Sequence, residues 1–186
     1  MSRCVRIIGT AIILALAAMP LMRPSPVMGA SAAELNREAA AALQTLYERE
    51  PSAKTLGAKA KGVLVFPSII KAGFVVGGQY GEGALRKGGK TVAYYNTVAA
   101  SYGLQAGAQE FGYALMFMDD ESLKYLDKSG GWEIGTGPSV VIVDEGMAKA
   151  MTTTTLQKGV YAFFFSQKGL MAGLGLQGTK ISRINK

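Results

Sequence analysis

Two groups of residues in this chain have types and spacing that could do chemistry: a glycine run near its C-terminal end and a scattered set of carboxylates. The run Gly173-Leu-Gly-Leu-Gln-Gly178 has the letter spacing of a dinucleotide-binding loop. That loop works only between a strand and a helix, with an acidic residue about twenty positions further on. Eight residues, Thr179 to Lys186, follow Gly178. They leave no room for a crossover helix or a ribose-binding carboxylate, so no nucleotide cofactor is expected and the glycines need another explanation. The carboxylates Glu82, Glu110, Asp119, Asp120, Glu133, Asp144 and Glu145 show no catalytic spacing, and Asp119-Asp120 reads as a helix cap. The chain has no histidine, and its one cysteine is Cys4. That composition excludes imidazole and thiolate metal sites in a mature domain, and with them Ser-His and Cys-His nucleophile pairs. Thr152 to Thr155 is a β-favouring run with no marked amine partner. The expected class is therefore a non-enzymatic protein with no metal and no cofactor.

The positioning elements begin after a leader. Arg3 and Arg6 precede an uncharged run over 7–22, interrupted by Pro20, and small residues cluster at 29–33. Ala30-Ser31-Ala32 has the small-x-small form of a cleavage site, so residues 1–32 are expected to be a secretory signal peptide and 33–186 a single mature domain. Cys4 stands before the apolar run, not at its end, so a lipoprotein is not expected. An exported domain without cysteine is held by its core and not by disulfides. The expected location is the periplasm or the outer envelope, with no nucleic-acid partner. Residues 51–186 carry more Lys and Arg than Asp and Glu, and a basic exported body attracts anionic headgroups or acidic polymers.

Ser31 and Glu34 have capping-box spacing, and Leu35, Ala39, Ala42, Leu43 and Leu46 recur at helical steps. One amphipathic helix is expected over 32–49, ended by Pro51, and a short one over 52–60. From Gly62 the period becomes that of strands: 63–66, a turn near Ser68, 73–80, a hairpin turn at 86–90, then 91–99, 102–108 and 111–118. A short helix capped by Asp119 or Asp120 stops at Ser129-Gly130-Gly131. Further strands are expected at 132–135, 139–144, 151–156, 160–166 and 170–177. The fold class is α+β: a curved antiparallel sheet or barrel-like core of short glycine-rich strands, with an N-terminal amphipathic helix and a short middle helix.

Residues 62–81 and 159–178 echo each other at a shift of 97, sharing Gly62 and Gly159, Val63 and Val160, Phe66 and Phe163, Lys71 and Lys168, Gly78 and Gly175, and Gly81 and Gly178. They read as two matching hairpins with Lys71 and Lys168 at their turns. Strand alternation puts Gly173 and Gly175 on one face and Gly178 on the other. With Gly77, Gly78 and Gly81 they suggest flat backbone surfaces for a helix, a second sheet layer or a lipid chain to lie against. Lys54, Lys59, Lys61, Lys71 and Lys168 are the candidates for a basic rim that meets lipid headgroups.

The segments 59–67 (KAKGVLVFP), 71–83 (KAGFVVGGQYGEG), 137–146 (GPSVVIVDEG) and 161–178 (YAFFFSQKGLMAGLGLQG) resemble the SYLF domain family, over roughly residues 35–185. The resemblance implies a lipid-binding domain: eukaryotic members bind phosphoinositides through an N-terminal amphipathic helix and basic residues, and in yeast the domain also binds actin filaments. Bacterial members are exported and stand alone. By position the family's membrane helix falls on 33–49, which is acidic here, so Lys54 to Lys71 become the headgroup candidates. The expected function is non-catalytic binding of phospholipid or another anionic amphiphile at the bacterial envelope. The alternative is a structural or protein-interaction module of the envelope.

Overall fold

The computed structural model describes residues 29–143, 159–169, 176 and 178–186. The body of the expected signal peptide, the 151–156 strand, and Gly173 and Gly175 lie outside the described residues. Helix α1 (Ala32–Arg49) starts where Ser31 Oγ accepts the Glu34 N–H at 3.2 Å. Pro51 does not merely end it. It opens α2 (Pro51–Lys59) at the first helical position, where a missing N–H costs nothing. Both helices bury one apolar stripe, Leu35, Ala39, Leu43 and Leu46 from α1 and Ala53 and Leu56 from α2.

The strands are not short. Strand β1 (Gly62–Lys87) and strand β2 (Lys90–Phe117) are 26 and 28 residues long and pair antiparallel throughout. Gly88 and Gly89 join them in left-handed conformations, φ 55° and 79°, as a two-residue hairpin loop requires. Pro67-Ser68, expected as a turn, is a bulge between Phe66 and Ile69, because ladder pairing resumes on both sides of it. The second expected break is a sharp fold. A methyl group placed on Gly73 would collide with the Gly77 backbone, and one on Gly81 would lie 2.6 Å from Ile69 Cγ1 and 2.8 Å from Ser68 O. Residues 77–87 of β1 therefore lie back over residues 62–73. Strand β2 takes the outside of the bend, where Gly73 pairs with Gly107 but Val75 pairs with Gly103. The folded hairpin is a half-barrel.

The rest of the chain completes it. Asp119 caps helix α3 (Asp120–Lys124), and β3 (Trp132–Glu133) follows. Strand β5 (Val160–Gly169) pairs with the 109–117 half of β2, and β6 (Lys180–Ile184) with residues 94–98 of β2. Strand β4 (Val140–Ile142) runs parallel to β5, so the sheet is mixed, not purely antiparallel. The fold class is α+β on a curled sheet. Alternation along the strands divides the core: Leu64, Phe66, Tyr113, Leu115, Phe117 and Trp132 fill the concave side. Val63, Val65, Ala84, Met116, Tyr161 and Phe163 pack under the helices.

The sequence echo corresponds to a spatial one. The described strand residues of its two copies flank β2, Val63 and Tyr161 both opposite Met116, which is a shift of 98 and not 97. Each copy carries a bulge beside Gly112, at 67–68 in β1 and 166–167 in β5. Neither Lys71 nor Lys168 occupies a turn: they sit within strands, opposite Gln109 and Glu110. The glycine surface also divides. Gly81 lies in the close crossing and Gly78 meets only Ala99 O, 3.7 Å from where its Cβ would be. Gly178 is not in a strand but in a turn, φ 74°, its N–H donating to Ile134 O at 3.0 Å.

Burial pushes the pKa of several phenols up, so that they hold their protons longer. Tyr113, fully enclosed, is pushed furthest, slightly offset by its hydrogen bond to Thr97 Oγ1 at 2.8 Å. Burial also raises Tyr95, with Asp127 adding to it and Arg183 opposing. Folded phenols keep their protons above the pH near 10 at which unfolded tyrosine ionises. Below that pH their contribution to stability is complete, and it is lost as pH rises further. Urea midpoints should therefore fall steadily above pH 10. Tyr113→Phe should flatten that fall while costing about 1 kcal/mol at neutral pH through the lost hydrogen bond.

Candidate functional site

A groove of about 820 Å³ lies between the two N-terminal helices and the β1–β2 turn. Its floor is apolar, from Ala40 and Leu43 of α1, Ala58 of α2, Ala60, and Val63 of β1. Tyr47 enters from α1 and lies against Gly57 of α2, where any side chain would strike its hydroxyl. That contact explains a glycine in a helix interior, where it costs roughly 1 kcal/mol relative to alanine. Burial pushes the Tyr47 pKa up and the positive charge of Arg86 partly reverses the effect, which puts the phenol within electrostatic reach of the guanidinium.

The rim is cationic. Lys54 and Arg86 line it, with Glu48 as the opposing carboxylate. Arg86 is held in place by its own turn, Nη2 donating to Gly89 O at 2.6 Å and Nη1 to Thr91 Oγ1 at 3.5 Å. Beside it Lys87 and Lys90 face each other across the hairpin, a like-charge pairing that destabilises a sheet unless something anionic offsets it. Among the described residues none of Lys54, Arg86, Lys87 and Lys90 forms an ion pair.

The five lysines singled out in the sequence do not come together. Lys54 is on the groove rim, and Lys59 and Lys61 are exposed at the same end of the half-barrel. Lys71 and Lys168 are nine or so strand positions away toward the bend, roughly 30 Å at about 3.3 Å per residue. There Lys168 faces Glu110 at 3.9 Å. The bend separates them, because β1 folds near residue 75 and brings its two ends, not its middle, to the helices. Arg86, Lys87, Lys90 and Tyr47 were not recognised as a set. The usable signal was Gly57, a helix-interior glycine one helix away from the only large aromatic of α1.

A second hollow of about 300 Å³ contains Asp119, Glu121 and Ser122. Its central carboxylate is occupied. Asp119 Oδ1 accepts the Ser122 N–H at 2.7 Å, and Oδ2 accepts Ser122 Oγ at 3.1 Å and the Gly159 N–H at 2.7 Å. Asp119 thus caps α3 and ties the start of β5 to it. Asp119→Ala should cost about 2 kcal/mol. Urea unfolding followed by the fluorescence of Trp132, buried against Phe117 and Tyr125, would measure the loss.

Helix α1 itself is committed to the core. Exposing Leu35, Leu43 and Leu46 to reach a membrane would cost about 2 kcal/mol each. That sum is comparable to the whole stability of many domains. The described residues thus form a helix-clad half-barrel with an apolar groove and a cationic rim, and the Asp119 carboxylate in the second hollow serves as a cap. Residues 98–186 match the family model Ysc84, described as a Las17-binding protein actin regulator. Over that span the match is to the SYLF family, the one its motifs resemble, a family of binding domains. No curated protein matches the chain. Every residue lining the groove precedes residue 98, so the groove and the family match are independent observations.

Proposed function

We propose that this protein binds phospholipid, or another anionic amphiphile, without catalysis, as an exported domain of a bacterial envelope. The observation that carries the reading is the pairing of an apolar floor with unpaired cations on one rim: an acyl chain fits Leu43, Ala60 and Val63, and a headgroup fits Lys54 and Arg86. Grooves of this size accommodate ligands of lipid-fragment scale. Each basic residue near an anionic surface contributes about 1 kcal/mol. Lys54→Ala with Arg86→Ala should therefore weaken binding to vesicles containing anionic phospholipid by a factor of about thirty, measured by flotation, with little binding to zwitterionic vesicles by either form. Absence of flotation by the unaltered domain would overturn the reading.

One feature favours the second reading, a protein-contact module of the envelope. The outer face of the folded hairpin beyond α1 exposes Ile70, Val76, Tyr80 and Val98. A domain that captures a protein through this strip would fail to float, and Val76→Ser with Val98→Ser would abolish the capture.

A further inference from the structure

The Glu82 carboxylate collects partners from three separate parts of the chain. Oε1 accepts the Tyr80 hydroxyl at 2.9 Å, and Oε2 accepts the Lys186 ammonium at 2.6 Å. The Glu82 and Lys186 side chains are only 14% and 11% exposed. The third neighbour is Gly29: a methyl on it would lie 2.6 Å from Oε1 and 3.0 Å from Oε2, so its Cα rests against the carboxylate. The nitrogen of Ala30 is two bonds from that Cα. On its other side the Ala30 carbonyl accepts Lys186 Nζ at 2.6 Å, and the next residue, Ser31, caps α1. Residues 29–31 are thus built into the domain, although the small-x-small pattern assigns them to the leader.

We propose that Glu82 is the receptor for the mature N-terminus, and that the leader is cut at the Gly29–Ala30 bond and not after Ala32. The proposal rests on residues 1–28 being a signal peptide and is independent of lipid binding. Hydrolysis by a signal peptidase consumes one water: Gly29 leaves with the carboxylate, and Ala30 keeps the nitrogen, which protonates to an ammonium beside Glu82. Gly29 supplies the small residue directly before the cut, and Val27, two positions earlier, stands where the pattern has its other small residue. A cut after Ala32 would remove the Ala30 carbonyl from Lys186 and the Ser31 cap from α1. It would also set the new positive charge in the first turn of α1, where the helix dipole opposes it. The cut at Gly29–Ala30 keeps both contacts and gives the enclosed carboxylate a second cation.

The full chain, produced in an exporting Gram-negative host, should yield a mature protein whose intact mass and N-terminal sequence begin at Ala30; any other start, or a retained leader, overturns the proposal. A second measurement tests the receptor directly. Protein beginning at Ala30 should melt about 3 °C above the same protein with its α-amine acetylated, and in Glu82→Gln that difference should vanish. Equal melting of the two forms with Glu82 intact would equally overturn it.

Discussion

Gly81→Ala is expected to lower the unfolding free energy by about 2 kcal/mol, whereas Gly78→Ala, three residues earlier in the same strand, should be neutral or slightly stabilising. The difference comes from what each methyl would meet. At Gly81 it would press on Ile69 Cγ1 at 2.6 Å and on the Ser68 carbonyl at 2.8 Å. The carbonyl belongs to the backbone of the crossing strand segment and cannot rotate away, so the two arms of β1 must separate and loosen Ile69 and Phe66 above the concave core. Overpacking of this kind costs about 1–3 kcal/mol. At Gly78 the methyl would find only Ala99 O at 3.7 Å, an ordinary contact, while the unfolded chain would lose glycine's freedom, a gain of about 0.5 kcal/mol. Urea midpoints at constant slope would measure both. Equal effects at the two positions would remove the close crossing as the reason for the glycine.

The second large effect is expected at Glu82. Glu82→Ala leaves the enclosed Lys186 ammonium with the Ala30 carbonyl as its remaining partner and the Tyr80 hydroxyl without Glu82. Removing one partner of an enclosed ion pair strands the other, at about 3 kcal/mol. The loss should change little between low and high salt, since screening acts weakly on enclosed charges. The exposed pair Lys168–Glu110 is the control: at 3.9 Å, with side chains 75% and 48% exposed, Lys168→Ala should cost only a few tenths of a kcal/mol and less in salt. A double-mutant cycle on Glu82 and Lys186 would give the coupling of the pair itself.

These two sites mark where sequence reasoning stopped. Local chemistry was legible. Ser31 with Glu34, and Pro51 after the last turn, fix α1 at the residues observed; Asp119 caps the middle helix, and Gly88-Gly89 makes the hairpin turn. Each of these signals acts within four or so residues, the range over which caps, prolines and left-handed glycines decide the backbone. The strand segments were also visible, because apolar alternation survives bulges. Their continuity was not, since Pro67-Ser68 and the Gly73–Gly77 fold look like chain breaks until the partner strand pairs across them.

By itself, then, the sequence determined the element types, the α+β class, the family resemblance, and a composition without histidine. The tertiary structure decided which charges share a surface. It folded β1 near residue 75, sending Lys71 and Lys168 to one end and joining Lys54 to Arg86, Lys87 and Lys90 at the other. It also brought Glu82 to Lys186 across 104 positions. Contacts of that separation depend on where a strand bends and which face alternation presents after each bulge. A one-residue bulge reverses that face, so the helices, the groove and the enclosed ion pair exist only once the whole hairpin has closed on itself.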